Sequence, residues 1–351
     1  MKALVKYQKG PGNMEIRDIP EPEPGPGQIK VKVVEAGICG SDLHIYNDDI
    51  AITVRPPVVP GHEFSGVVTE VGEGVTDFKP GDRVVSEAVY YYCHKCHYCR
   101  TGFYNLCIDK KSLGYWQNGA FAEYTLIEEQ NLHHLPDDID FLTGAMLEPL
   151  ACCTHAVYDC CHIEAGDVVL VSGPGAIGLM AAQVAKAEGA RVIVTGTNAD
   201  EDRLQMAREL GCDYAVNLQK ENVKELVEKL TGGYGADVVL ECSGSEAAVR
   251  SGMELLKKRG YYCQIGLTGK PITFDIETIC YKEIHFSGSM ASRYLNWEKG
   301  MKLIQQGLVK LAPLASHHFK LDDWEAAFQM FREKKGLKLI LTAEGKQETD
   351  V

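Results

Sequence analysis

Polar and apolar residues alternate along Ile29–Val34, the two-residue period of a strand with one buried face, and a second strand is predicted over Phe64–Val71. The opening MKALVKYQKG also alternates and enters a strand. From Val168 the pattern changes. An apolar run Val168–Ser172 leads through a glycine-rich turn into an amphipathic stretch over about Ala176–Glu188, then into a second apolar run, VIVTG. Further strands are predicted at Asp237–Glu241 and Tyr261–Ile265, each ending near glycine, and a helix at Trp297–Gln306. Trp324, Phe328 and Phe331 recur at helical spacing and read as core. The fold class that follows is α/β, with strands and loops giving way to strand–helix alternation at a seam near EPLACC. A chain of 351 residues exceeds one ordinary core, so two domains are expected.

The glycine-rich turn carries the first chemistry. Gly173, Gly175 and Gly178 are spaced G-x-G-x-x-G between a predicted strand and a predicted helix. Such glycines permit a tight turn, close approach of backbone to a pyrophosphate, and close helix–strand packing, with the phosphates on the helix N-terminus. In that context the spacing predicts a dinucleotide-binding unit of the doubly wound, Rossmann type.

Charge narrows the partners. Acidic residues outnumber basic ones by 49 to 36, a net −13, which argues against nucleic acid or an anionic membrane. No apolar run approaches a membrane span, and the N-terminus does not read as a signal peptide. The thirteen cysteines fit a reducing cytoplasm, with Cys152–Cys153 and Cys160–Cys161 as small packing residues. The tail GKQETDV is expected to be mobile.

Four cysteines, Cys93, Cys96, Cys99 and Cys107, follow C-x2-C-x2-C-x7-C in a segment without helical or alternating period. Four thiolates close a tetrahedral zinc site, so the spacing predicts a structural zinc lobe. An iron–sulfur cluster or metal-free surface cysteines are the alternatives. His94 and His97, between them, read as exposed loop residues. A second donor set is scattered: Cys39 after the first strand, His62 and Glu63 before the second, and Glu148 in an apolar stretch where a lone carboxylate is costly. One soft, one borderline and one hard ligand suit a catalytic zinc with an open position, although spacing alone leaves their convergence open. His133, His134, His155, His317 and His318 read as packing residues.

The order GICGSDLH, GHE, four-cysteine segment, EPL and glycine loop resembles the zinc-dependent medium-chain dehydrogenases, and among them the polyol dehydrogenases, over essentially the whole chain. The resemblance implies a mostly-β, GroES-like catalytic domain at 1–151, to which 311–351 returns, and a Rossmann domain at 152–310. It implies that Cys39, His62 and Glu63 hold a catalytic zinc, with Glu148 adjoining it directly or through water. Ser41 and His44 match the positions that relay the alcohol proton, from what reads as one short turn. Arg293 and Tyr294, in SRYLNW, resemble residues that reach substrate hydroxyls, a role Glu148 shares. For the nucleotide, the resemblance implies contacts from Gly173, Gly175, Ile177, Gly178, Gly196, Thr197, Arg203, Ile265, Gly266, Leu267, Ser292 and Arg293.

The implied activity is hydride transfer between a secondary alcohol of a polyol and NAD(P), with two zinc ions per chain. Homodimers or homotetramers are implied too, paired through the edge strand expected at EIHFSGSM. Ile45, where polyol dehydrogenases carry an aromatic, resembles L-threonine 3-dehydrogenases instead, and Arg293 could clamp a carboxylate. Threonine and sugar acids therefore stay open as substrates, as does a non-catalytic nucleotide-binding protein of the same fold. Where NAD enzymes place an acid on the ribose, this chain has Gly196, then Thr197, Asn198 and, further on, Arg203. That pattern leans to NADP, against which Asp200, Glu201 and Asp202 could return a carboxylate.

Overall fold

A computed structural model describes residues 1–343, so the tail lies outside the described residues. The chain divides into two units, one built from Met1–Glu148 and the segment from Leu311 onward, the other from Pro149–Lys310. Among the described residues no helix is long and apolar enough to cross a membrane.

The first unit is organised by a seven-stranded sheet. Its central strand, Gln28–Gly37, pairs antiparallel with Glu63–Val71 on one side and with Lys338–Thr342 on the other, and also with Tyr124–Glu128. The strand outruns its sequence pattern because a register shift between Val33 and Glu35 interrupts the alternation, hiding the last turn of pleat. Ile29, Val31, Phe64, Phe121, Ile127, Leu339, Trp324 and Phe328 fill the core beside it. Phe331 packs against that core while staying partly exposed.

Register decides what meets at one end of this sheet. Gly37 faces Glu63 across one pair and Ile340 across the other. Cys39 leaves the central strand two residues later, His62 precedes its neighbour by one, and Lys338 opens the third. Three strand ends from distant parts of the sequence thus converge on one spot. A Cβ at position 37 would stand 2.5 Å from Glu63 Oε2 and 2.9 Å from Lys338 Cε, so glycine there leaves room for both side chains.

Two local readings of the sequence change in this unit. Ser41 and His44 do not share a short turn; they lie on a helix, Gly40–Asn47, capped by Cys39, whose amide donates to Asp42 Oδ2 at 2.9 Å. That reciprocal cap starts a helix that apolar periodicity does not announce. The cysteine segment is likewise not all loop: it contains one helical turn, His97–Arg100, and a 3-10 turn, Tyr104–Leu106.

The second unit is a six-stranded parallel sheet. Its spatial order is Tyr214–Asn217, Arg191–Gly196, Val168–Ser172, Ala236–Glu241, Leu256–Gln264 and His285–Gly288. Strand succession reverses direction between Val168–Ser172 and Ala236–Glu241, and in doubly wound sheets the crevice at that reversal receives the ligand. The helix expected from Trp297 begins at Tyr294, because Arg293 is its cap and donates its amide to Asn296 Oδ1 at 2.9 Å.

Candidate active site

Cys39, His62 and Glu63 form one of two groups of metal-capable side chains among the described residues, their ligand atoms all within 4.8 Å of one another. His62 is oriented for ligation. Its Nε2 lies 3.5 Å from Ser41 Oγ, while Nδ1 stands 3.8 Å from the buried Asp42. A carboxylate behind the distal nitrogen of a ligating histidine fixes the ring and raises its basicity. Burial works against charge on His62, but a hydrogen bond to Cys39 and the charges of Asp42, Cys39 and Glu148 hold it up to about 10. The pocket therefore gathers Asp42, Glu63, Glu148 and Cys39 around His62 and Lys338, and Cys39, His62 and Glu63 are a donor set that suits a divalent cation.

Glu148 is buried in the same unit and acts electrostatically on His62, Tyr115 and Lys338, yet it stands outside the three-donor group. His44 is half-exposed and its Nδ1 lies 2.8 Å from Asp49 Oδ1. Two neighbours carry no sequence signal. Lys338 reaches Glu63 from 275 positions further along the chain, and the buried Tyr115 holds its ring 5.8 Å from that of His62.

The second group is Cys93, Cys96, Cys99 and Cys107. Sγ atoms of Cys96 and Cys99 lie 3.5 Å apart and those of Cys93 and Cys99 3.9 Å. Backbone amides turn inward: Cys93 and Asp109 donate to Cys107 Sγ, and Cys96 donates to Cys93 Sγ. Hydrogen bonding, that of the Cys99 backbone foremost, holds the Cys96 thiol down to about 6. Burial and its neighbours push Cys99 up to about 12. Four thiolates cannot coexist there without a cation, which is the condition a closed zinc site meets.

In the second unit the glycine loop has the form a pyrophosphate needs. Gly173 has φ +97°, a Cβ on Gly178 would stand 1.9 Å from Gly173 O, and a Cβ on Gly175 would meet open space. The twelve-residue helix Ala176–Ala187 starts directly after, offering its first amides. Ile177 carries the carbonyl that accepts from Cys153 Sγ. Ile265 and Gly266 donate their amides to Glu241 O, while Leu267 is exposed. At the end of Arg191–Gly196, Asp200 Oδ2 accepts from Thr197 N and Oγ1 at 3.0 and 2.8 Å, and Arg203 stands 3.7 Å from Asp200 Oδ1. A carboxylate thus returns beside Gly196.

Arg293 and Tyr294 are separated in role by the helix they open. Arg293 Nη2 pairs with Asp159 Oδ2 at 2.7 Å, where His155 and Asn296 also bond, so its guanidinium belongs to a network and not to a surface turn. Tyr294 is exposed, and Ser292 is buried, accepting from Trp297 Nε1.

Two family models match the chain, an alcohol dehydrogenase GroES-like domain over residues 25–137 and a zinc-binding dehydrogenase over 176–306. A sorbitol dehydrogenase of Halalkalibacterium halodurans is 47% identical, over 97% of this chain and 99% of that protein. The chain belongs to the zinc-dependent medium-chain dehydrogenases. A D-arabitol-phosphate dehydrogenase of Enterococcus avium is 39% identical over 97% of each chain. An L-threonine 3-dehydrogenase of Bacillus velezensis is more distant, at 35% over 97% of this chain and 98% of its own. A zinc-binding dehydrogenase from Sinorhizobium meliloti 1021, solved with NADP, has a TM-score of 0.88 and 30% identity over 97% of this chain and 98% of that one. This protein is therefore an oxidoreductase with a GroES-like unit and a nucleotide-binding Rossmann unit, of the polyol dehydrogenase type.

Proposed function

We propose that this dehydrogenase oxidises a secondary hydroxyl of a polyol or its phosphate ester, reversibly, with a nicotinamide dinucleotide as hydride acceptor. The observation that carries the reading is the convergence of Cys39, His62 and Glu63 at one sheet end, with Ser41 and Glu148 in the same unit. Zinc held by those three side chains supplies Lewis-acid polarisation that lowers the pKa of an alcohol. Ser41 accepts the alcohol proton, and His44, turned by Asp49, discharges it to solvent. Glu148, in the unit that holds the three donors, would recognise a neighbouring hydroxyl, and an unpaired polar group there would penalise a simple apolar alcohol. The similarity to sorbitol and arabitol-phosphate dehydrogenases supports a polyhydroxylated substrate.

A second zinc in the four-cysteine lobe would be structural. For the nucleotide, Gly196 and Arg203 support NADP, while Asp200 competes for Arg203 and repels a 2′-phosphate. We infer use of both dinucleotides, NADP ahead by less than about tenfold in kcat/KM. The thirteen free cysteines support a reducing, cytoplasmic setting. Strand His285–Gly288, at the sheet edge, supports assembly into a homodimer or homotetramer. The deciding experiment joins metal analysis to reduced-nicotinamide absorbance over polyols, polyol phosphates, aldonates, 2,3-butanediol and threonine. Two zinc ions and best kcat/KM on a polyol are expected; best turnover of threonine or a simple alcohol would overturn the substrate reading. Light scattering that returned 38.7 kDa would overturn the assembly.

A further inference from the structure

In the unit that holds the metal donors, two cations rest on one aromatic side chain. Arg55 Cζ stands 5.7 Å from the centre of the Trp116 ring, and Lys111 Nζ stands 5.9 Å from it. Lys111 is half-buried and lies 4.7 Å from the Tyr91 ring as well; Arg55 is exposed. Among the described residues neither cation makes a side-chain hydrogen bond or an ion pair. The acids that precede Arg55 are committed elsewhere. Asp48 Oδ2 accepts from Gly10 N at 2.8 Å, and Asp49 Oδ1 lies 2.8 Å from His44 Nδ1.

The indole is a fixed platform beside the metal pocket. Trp116 N donates to Ser112 O at 3.1 Å, and Gly114 N to Gln117 O at 2.8 Å, which closes a tight loop under the ring. Trp116 packs against the buried cluster of Ile45, Val54, Val58 and Tyr115. Tyr115, the preceding residue, holds its ring 5.8 Å from that of His62, and its carbonyl accepts from Arg55 N at 2.8 Å. Arg55 and Trp116 are thus both tied to the residue that walls the metal-ligating histidine.

Stacking on an aromatic face orders a cation without neutralising it, and a stacked guanidinium keeps its N–H edge for an oxyanion. An ammonium adds a point charge. Two uncompensated charges suit a dianion better than a single carboxylate, and the dianion a polyol can carry is a phosphate monoester. We propose that Arg55 and Lys111, held on Trp116, form an anion subsite that takes the phosphate of a phosphorylated polyol. The inference rests on the polyol reading above and narrows it from polyols at large to their phosphate esters. The phosphate takes no part in the chemistry: hydride leaves the carbinol carbon, the proton leaves its oxygen, and every P–O bond stays intact. Arg55 and Lys111 therefore determine specificity and act through KM, not kcat.

Sorbitol phosphate against sorbitol, and D-arabitol phosphate against D-arabitol, are pairs that differ only in the anion. The zinc-loaded enzyme is expected to favour the ester in kcat/KM, and the preference to shrink as salt is raised to about 0.5 M. Arg55→Gln and Lys111→Gln should each lower the ester-to-polyol ratio about tenfold, through KM. Arg55→Lys, which keeps the charge, should retain most of it. Calorimetry of sorbitol phosphate binding in the presence of reduced dinucleotide gives a readout independent of turnover, with affinity falling by the same factor. Preference for the free polyols, with a ratio unmoved by either substitution, overturns the subsite and leaves polyol oxidation intact. Equal losses on ester and free polyol assign the two cations to packing and also sink it. An aldonate bound and turned over best, with the same dependence on Arg55, replaces phosphate by carboxylate and overturns the ester assignment. Turnover of threonine or a simple alcohol alone overturns the polyol reading itself. In that case sorbitol phosphate binding that is lost in both variants still supports the subsite, and its absence from the parent removes it.

Discussion

Lys338 and Glu63 form an ion pair inside the first unit, with side chains only 5% and 1% exposed, and Lys338 Nζ also donates to Ile38 O at 3.0 Å. Glu63 therefore has two claimants, the lysine and a metal. Burial opposes the charge on Lys338, yet Glu63, Cys39 and Glu148 keep its pKa raised. Lys338→Met leaves a buried carboxylate without its counter-charge, which costs about 3–5 kcal/mol when a buried pair is broken from one side. Urea unfolding of the zinc-free protein should register that loss. Zinc should recover part of it, so the midpoint gained on adding zinc is expected to be larger in the variant than in the parent.

Gly178→Ala tests the glycine loop without touching the metal pocket. The new Cβ would meet Gly173 O at 1.9 Å, a backbone atom that cannot yield without opening the turn. Dinucleotide affinity measured by fluorescence titration is expected to fall at least tenfold, about 1.4 kcal/mol. Zinc per chain should stay the same.

Cys107→Ser removes one corner of the four-cysteine lobe while leaving Cys39, His62 and Glu63 intact. Metal analysis is expected to drop from two zinc ions to one. Because structural zinc contributes folding free energy, the segment 93–110 should become the first site of limited proteolysis. Retention of two zinc ions would show that the lobe does not hold one.

The Asp159 network sets a pH window. Burial pushes Asp159 up, but bonds from Asn296, His155 and Arg293 prevail and hold it down to about 2. A depressed carboxylate contributes stability that is present above its unfolded value of 3.8 and lost as pH falls through 2. For His155, burial lowers the pKa, but Cys160 and Asp159 raise it overall, so its share is present below 6.5 and lost as pH rises through the raised value. The melting temperature of Asp159→Asn is thus expected to lie roughly 2–4 °C below the parent between these limits, the gap closing toward pH 2. A gap independent of pH would assign the loss to packing.

The α/β class was written locally, and so could be read. Val168–Ser172 is a strand and Ala176–Ala187 a helix for reasons contained in their own residues, and Gly173, Gly175 and Gly178 lie within six positions of one another. The cysteine segment is equally self-contained, its spacing legible even where its helical turn was not. The donor types Cys39, His62, Glu63 and Glu148 could be named, but the meeting of Cys39, His62 and Glu63 is a property of strand register: Gly37 opposite Glu63, and Ile340 opposite Gly37. A one-residue slip would turn Glu63 to the other face of the sheet. Lys338, Tyr115 and Asp159 carry no motif, because each owes its place to long-range pairing and packing rather than to its neighbours in sequence. Ligand chemistry resides in side-chain type, which a sequence states outright; the distance between two side chains is fixed by register and packing, which exist only once the chain has folded.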